Sequence, residues 1–558
     1  MSKNRRQALA YGLGLAAAPL AAKSAQTAPP ANAASNPSPA DGAKRSSARW
    51  SAGVEGQRRA DLGDGNYRNP VLAGDQPDPS VLKDGSVYYK VSSSFVYYPG
   101  LVVWRSTDLV NWAPVGPALR TYVGSVYAPD LVKHEGRYYI YFAARWLPRF
   151  DDLATGPSQR KTMATYVVHA PSIAGPWSEP VDVGVNIAID PGHVVGEDGK
   201  RYLYVSDGAL VPLSDDGLKA TGAAQKLYDG WKYPADWIME NFALEGPKLL
   251  RRDGWYYMFS AEGGTGGPPT SHMVVVARSR SVRGPWENCP HNPIVRTASA
   301  SEPWWSRGHA TAVEGPGGDW WLIYHGYENG YRTLGRQMLL EPMSWTADGW
   351  PKAKGGDLSK PLPKPRGGRA GPHGVAFSGP FKPDDLGARL AYYMPSDGWA
   401  QRARWEDGAL ILAGQGTKPS ASSPLVLDVG DHRYELTVEL DLKDGGQAGL
   451  LLFYDERFFC GLIATPRRLA GYKMGAQDIL GTVVRPPATR MFLRVVNRDN
   501  VASFSYSWDG LTWALHSAFE VAGYNHNVAD GFLSLRPALF AAGKGSVSFK
   551  SLTYRALA

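Results

Sequence analysis

Cysteine is nearly absent: the 558 residues include only Cys289 and Cys460. A disulfide framework of the kind that staples small secreted domains is therefore excluded. The two cysteines fall in regions of different character, which favours free buried thiols over a bridge. Neither lies in a nucleophile motif. Charge of one sign is nowhere concentrated. The formal net charge is +8, but lysine and arginine occur singly or in short pairs. A nucleic-acid footprint would be clustered, so nucleic acid is not expected as a partner. Long apolar runs are missing too. The N-terminal run that ends near Ala22 is too short for a permanent anchor, no other stretch qualifies, and no membrane partner is expected. Helical periodicity is almost absent between Tyr67 and Trp350.

Aromatic residues are abundant, with 19 Trp and 29 Tyr. Sheet packing accounts for most of them, and a minority can serve as flat platforms for sugar rings. Many sit in a repeat. A short turn followed by aromatics recurs at Asp84-Gly85, Glu135-Gly136, Asp198-Gly199, Asp253-Gly254 and Gly317-Gly318. The glycines, with Gly318 taken in the last copy, are 51, 63, 55 and 64 residues apart. Upstream of them stand Asp78, Asp130, Asp190, Glu245 and His309, at 7, 6, 9, 9 and 9 positions. This period in an all-β pattern predicts a five-bladed propeller with long loops. The first strand of each blade then lines the axis, and its entrance end brings one polar residue to a common centre.

The organisation along the chain follows. Residues 1–28 read as an export signal, with Arg5-Arg6 before a weakly apolar core as in twin-arginine signals. The expected location is periplasmic or secreted. Residues 29–62, rich in Ala, Pro, Ser and Gly, read as a disordered leader. The propeller is expected over 63–360 and a linker over 361–374. From 375 to 558, short alternating strands separated by turns such as Asp444-Gly445 and Asp509-Gly510 predict a concanavalin-like β-sandwich. Oligomeric state is left open.

Three of the converging acids are followed within two residues by proline: Pro77-Asp78-Pro79, Ile189-Asp190-Pro191 and Glu245-Gly246-Pro247. Directly before proline, Asp78 and Asp190 are expected in extended geometry. Each context alone is ordinary turn chemistry. Three at equivalent blade positions instead describe a catalytic pocket. Two facing carboxylates suffice for acid–base cleavage of a glycosidic bond. A third raises the acid's pKa, because like charges disfavour ionisation.

Asn69-Pro70-Val71-Leu72, Pro77-Asp78-Pro79-Ser80, Tyr127-Ala128-Pro129-Asp130-Leu131, Ile189-Asp190-Pro191, Glu245-Gly246-Pro247 and Ala261-Glu262-Gly263-Gly264-Thr265 resemble glycoside hydrolase family 43. So do Gly308-His309-Ala310 and Leu334-Gly335-Arg336, all in the family's order over about 67–352. The C-terminal part resembles the sandwich appended to many β-xylosidases of that family. The resemblance implies a five-bladed propeller and an inverting mechanism. It makes Asp78 the general base, Glu245 the general acid and Asp190 the carboxylate that tunes the acid. Arg336 becomes a sugar contact. His309 matches an axial histidine that accompanies a central metal ion in some members, and it is equally a satisfied core histidine. No cofactor is required. Asp130 is read as pocket lining, and Phe95, Tyr127, Trp146, Trp237, Trp304 and Trp305 as pocket walls or core. Glu262 is read as hydrogen-bonded within a Gly-rich loop, with a fourth acid as the alternative. The chain departs from the pattern over Gly266–His272, which is richer in Gly and Pro.

The function expected is release of pentose from plant cell-wall polysaccharide or oligosaccharides. Exo-β-1,4-xylosidase comes first, α-L-arabinofuranosidase or dual activity second. The substrate is then a xylo-oligosaccharide or an arabinose-containing glycan. A non-catalytic sugar-binding propeller is the rival class, but it would not need all three acids. The sandwich is expected to supply part of the pocket wall. Phe540, in Gly531–Phe540, is the candidate ring, and sandwich core is its alternative place.

Overall fold

The structure, a computed structural model, describes residues 58–147, 163–186, 188–442, 446–478, 481–486, 489–529 and 531–558. The expected signal and most of the leader lie outside them.

The five Gly turns each close a hairpin between the first and second strands of a blade. Gly85, Gly136, Gly199, Gly254 and Gly318 all have φ between 62° and 80°, which favours glycine. The first strands are Ser80–Asp84, Ser125–His134, Gly192–Val195, Glu245–Arg252 and Trp304–Glu314. They neighbour one another in chain order, and the fifth returns to the first, so a ring closes around one axis. The aromatic pairs fall on the second strands, where Tyr88, Tyr202, Tyr256, Tyr257 and Trp321 fill the wedges between blades. Trp112, Trp177 and Trp286 each follow the third strand of a blade, after Gly100–Ser106, Met163–Ala170 and Met273–Ser279. The result is an all-β, five-bladed propeller.

The ends of the domains differ from expectation. Ala60 is buried, and Arg58 hydrogen-bonds Glu328 of blade 5 and Gly430 of the sandwich, so the leader's last residues belong to the fold. Burial of an apolar residue and a bidentate ion pair outweigh the low-complexity composition upstream. The expected linker is likewise docked. Leu362–Pro363 pairs with Asn66–Tyr67, Lys364 bonds Asp61, and Gly374 bonds Trp112.

The C-terminal part is two packed antiparallel sheets. One contains Gln447–Phe453 beside Arg536–Ala542, and the other Arg433–Asp441 between Ser546–Ala556 and Arg490–Arg498. Their inner faces share one apolar core, which includes Phe540 and Cys460. Cys289 is buried in the propeller, so both thiols are free. The first sheet does not end within the sandwich. Its edge strand Ala391–Tyr393 pairs with Tyr97–Tyr98 of blade 1, and the sandwich core extends to Phe95, Val96 and Tyr97. Sheet hydrogen bonds and core packing therefore join the two domains at the rim of the propeller axis.

Candidate active site

The inner strands bring Asp78, Asp190, Glu245 and His309 together at the start of blades 1, 3, 4 and 5. Asp78, Asp190 and His309 have φ of 53°, 59° and 56°. Left-handed backbone is costly for residues other than glycine and collects at functional sites. The extended geometry expected before proline is thus overridden at Asp78 and Asp190. Tertiary hydrogen bonds hold the strained segment: the Asp78 N–H donates to His325 Nδ1 at 3.0 Å. In blade 4 the positive φ falls on Gly246 instead, at 59°. A Cβ there would stand 2.6 Å from His309 Nδ1, so glycine is what lets His309 approach the strand that carries Glu245.

His309 is the hub. Its Nδ1 lies 3.8 Å from Asp78 Oδ1, while its Nε2 lies 3.7 Å from Asp190 Oδ2 and 3.3 Å from Glu245 Oε1. Asp78 and Glu245 therefore flank the imidazole on opposite nitrogen sides. Burial opposes charge on His309, but Asp78, Glu245 and Asp190 outweigh it and lift its pKa to about 9. His272 and His325 pack against it with ring centroids 5.5 and 5.4 Å away. Burial, with the charges of Arg336 and His309 nearby, keeps His325 near 3 and neutral. Burial and the neighbouring histidines likewise hold His272 well below its usual range.

The carboxylates are differentiated by their neighbours. Burial alone would raise Asp78. Arg336 and His309 reverse that and hold it well below the ordinary range, so it stays ionised. Arg336 Nη1 donates to Asp78 Oδ1 at 2.9 Å, and the Ser93 hydroxyl donates to Oδ2. Asp190 is pushed up to about 7 by burial and by Glu245 and Asp78, against the pull of His309. Its Oδ2 accepts the Gly246 N–H at 3.1 Å. The side chain of Glu245 is 18% exposed, the most open of the four groups around the hub.

A pocket wall closes over this group. Phe95 meets Tyr127 edge-on at 5.7 Å and faces Phe532 of the sandwich at 6.5 Å. Arg336 lies 5.5 Å from the Phe95 ring and 5.1 Å from the Phe532 ring. Phe532 is backed by His526, stacked at 4.0 Å, and Asn527 of the same turn donates to the Gly266 carbonyl at 2.6 Å. The Gly-rich loop after Glu262 thus makes room for the sandwich: a Cβ on Gly266 would stand 2.2 Å from His526 Nε2.

Several expected positions are elsewhere. Asp130 is not at the pocket. It accepts from Ser80, the His193 N–H and Lys248, at 3.1, 2.7 and 3.2 Å, and ties four blades together deeper in the channel. A shift of register between Tyr127 and Asp130 sends it there. Phe540 packs inside the sandwich, fully buried, and Phe532 of the same segment takes the wall position. Trp304 is core, Trp146 packs on Tyr122, and Trp305 and Trp237 carry Arg332 and Arg296 on their faces. Glu262 is fully buried and accepts the Trp231 N–H at 2.5 Å, and burial pushes its carboxyl up to about 8. Sequence reasoning missed His325, Ser93 and Phe532 and placed His272 only in an unusual loop. No local motif marks them, since each becomes relevant only through long-range packing.

Glu245, His272 and His309 each offer a ligand atom within 4.8 Å of the others, which raises the question of a metal. The His272 Nδ1–H donates to the Gly263 carbonyl, and His309 Nε2 meets Glu245 Oε1. His272 Nε2 and His309 Nδ1 are both buried without a hydrogen-bond partner. Glu245, His272 and His309 are the residues that would hold a metal ion at this hub.

Residues 67–351 match the sequence pattern described as Glycosyl hydrolases family 43. The chain is 34% identical over 325 residues to a non-reducing end α-L-arabinofuranosidase of Bacteroides ovatus, covering 54% of this chain and 55% of that protein. It is 34% identical over 322 residues to a xylan 1,3-β-xylosidase of a Vibrio species, covering 51% and 56%. The match thus spans about half the length of these curated relatives. The solved GH43 protein BlXynB of Bacillus licheniformis superposes with a TM-score of 0.75 at 28% identity, over 88% of this chain and 100% of that one. The strand order, the strained acids around His309 and these matches together place the chain in glycosyl hydrolase family 43.

Proposed function

We propose that the protein is an inverting, exo-acting glycoside hydrolase that releases pentose from the ends of plant cell-wall oligosaccharides, with β-xylosides as first substrates. The observation that carries this reading is the flanking of His309 by Asp78 and Glu245. Inverting hydrolysis needs two carboxyls on opposite sides of the sugar, roughly 6.5–9.5 Å apart, with room for a water. Asp78, kept ionised by Arg336, takes the proton of that water as it attacks the anomeric carbon. Glu245 gives a proton to the departing oxygen. Its Oε1 accepts from His309, which leaves Oε2 to carry the transferable proton. Asp190, beside both Glu245 and His309, sets the charge that the acid experiences.

Exo action is supported by the wall that Phe532 and Phe95 make over Arg336, since a closed end excludes a continuing chain. The two relatives divide between arabinofuranosidase and xylosidase. The α-L-arabinofuranoside reading therefore stands second, because both sugars meet the same base, acid and tuner. We also infer export, from the signal-like segment at residues 1–28. The functional test is hydrolysis of 4-nitrophenyl β-D-xylopyranoside and 4-nitrophenyl α-L-arabinofuranoside by the purified protein and by Asp78→Asn. The wild type cleaves at least one with inversion at the anomeric carbon, and Asp78→Asn loses activity on all substrates alike. Azide rescue of Asp78→Asn through a product of retained configuration contradicts the assignment.

A further inference from the structure

The base does not stand alone on its strand. It ends the segment Asp75-Gln76-Pro77-Asp78, whose front is held by the active site and whose back is held by the other domain. From behind, Asp428 of the sandwich accepts the Asp75 N–H at 2.9 Å and the Gln76 side-chain amide at 3.0 Å. Arg536 of the sandwich donates from Nη2 to Asp75 Oδ2 at 3.2 Å and lies over the Tyr97 ring at 3.8 Å. The other oxygen of Asp75 accepts the backbone N–H of Arg336 at 3.0 Å, and the Gln76 N–H returns a bond to the Arg336 carbonyl at 2.7 Å. Gly335 makes this approach feasible: a Cβ there would stand 2.3 Å from Asp75 Oδ1. One carboxylate therefore joins Arg536 of the sandwich to Arg336, and Arg336 is bonded to Asp78.

A small cavity of about 80 Å³ lies between the domains at this point. Asp75, Gln76, Lys90, Ser93, Asp428 and Arg536 line it. Ser93 is also the hydroxyl that donates to Asp78, so one residue of the cavity wall touches the base. Two carboxylates, Arg536 and Lys90 face one another here, and burial pulls Lys90 down to about 7 and pushes Asp75 up to about 6. Lys90 is fully buried, and the Arg536 and Asp75 side chains are 9% and 2% exposed. Removing one member of such a set leaves an uncompensated charge out of water, which is far more costly than losing an exposed pair. Other ties across the same interface, Thr333 to Asn500 at 2.7 Å and Tyr331 to Asp499 at 2.8 Å, lie on neither Asp75 nor Arg336. They hold the domains together without a bond to Asp75, Arg336 or Asp78.

We propose that Arg536 and Asp428 are positioning residues for the general base: through Asp75 and Gln76 they fix the Arg336 that holds the Asp78 carboxylate. The sandwich then acts on the chemistry from behind the base as well as through the pocket wall. This rests on Asp78 serving as the base. The groups facing Asp78 are Arg336, His309 and His325, with Asp190 and Glu245 across the hub. Those facing Asp75 are Arg536, Arg336, Asp428 and Lys90, with Tyr97, Tyr327 and Tyr454. Without Arg536, the Asp75 carboxyl has two states. Ionised and unopposed, it draws on the field of Arg336 and raises the proton affinity of Asp78. Protonated, it loosens its hold on the Arg336 backbone. In both states activity is lost at a higher pH as the solution is acidified.

The experiment follows the acid limb of kcat/KM on whichever of the two aryl glycosides the wild type cleaves. Arg536→Met moves that limb upward by about one pH unit, the order produced by one unpaired charge at close range. Arg536→Lys keeps a charge but reaches less well, and moves it by less. Asn500→Ala is the control for a merely structural tie: it lowers the melting temperature and leaves the limb in place. Asp75→Asn combined with Arg536→Met separates the two states: a limb that returns toward the wild-type position assigns the shift to the unopposed charge, and a limb that stays displaced assigns it to the loosened hold on Arg336. An unmoved limb in both Arg536 variants overturns the inference. If Arg536→Met does not fold, Arg536→Lys decides in the same way. A wild type that cleaves neither glycoside overturns the proposed function instead, before any variant is compared.

Discussion

Phe532 of the sandwich lies almost parallel to Phe95 of blade 1, with ring planes 15° apart and centroids 6.5 Å apart. The Arg336 guanidinium stands against both rings. One face of the pocket is therefore shared between domains, and the arginine that holds the base is walled by apolar surface from each.

Truncating the shared wall should weaken binding more than chemistry. Phe532→Ala removes a half-buried ring worth about 1–2 kcal/mol of apolar contact. KM for the aryl glycoside is expected to rise about tenfold, with kcat much less affected. The variant should also accept longer chains better, because the closed end is opened. Steady-state kinetics on an aryl glycoside and on a series of oligosaccharides measure both effects. An unchanged KM would assign the ring to domain packing alone.

Glu245→Gln should slow hydrolysis in proportion to how badly the leaving group needs a proton. Loss of a general acid costs roughly 10²- to 10⁴-fold. The full loss is expected on unactivated disaccharides and a smaller one on 4-nitrophenyl glycosides. Equal losses on both substrate types would remove Glu245 from that role.

Asp190→Asn should move the alkaline limb of the pH–rate profile downward. Burial and its acidic neighbours lift the Asp190 carboxyl to about 7, so the Asp190–Glu245 pair keeps a proton near neutrality. With one carboxylate removed, the remaining acid loses the like charge that resists its ionisation. The limb then falls at lower pH, and profiles of kcat and kcat/KM report the shift. A limb that stays put while activity drops would leave Asp190 as a substrate contact.

His309 should make stability depend on pH in a defined direction. Its pKa is raised from 6.5 to about 9 by Asp78, Glu245 and Asp190, against burial. A raised histidine contributes stability that is complete below 6.5 and lost as pH rises through about 9. Relative to His309→Asn, the wild type should therefore lose stability across that window. Urea unfolding midpoints at pH 6, 7.5 and 9.5, chosen to bracket the two pKa values, give the comparison. Parallel curves would mean that His309 is neutral in the fold.

Much of this molecule was legible in the chain itself, because its information is local. A glycine that must adopt positive φ, followed by aromatics, marks each hairpin. A polar residue six to nine positions upstream, an acid in four blades and His309 in the fifth, marks each inner strand. Hence the five blades, and the convergence of Asp78, Asp190, Glu245 and His309, follow from spacing. What spacing does not encode is register and long-range approach. One shift of register between Tyr127 and Asp130 sends Asp130 away from the pocket and into a bond with Lys248. Phe532 and Phe540 sit in one short segment with the same chemistry. Only the packing of the sandwich against blade 1 buries the second and aims the first at Arg336. The left-handed backbone of Asp78 and Asp190 runs against the local preference before proline, and bonds from distant residues such as His325 sustain it. The roles of the acids follow the same division. Residue type and period made them candidates, but neighbours brought in from other blades decide that Asp78 stays charged while the Asp190–Glu245 pair keeps a proton near neutrality.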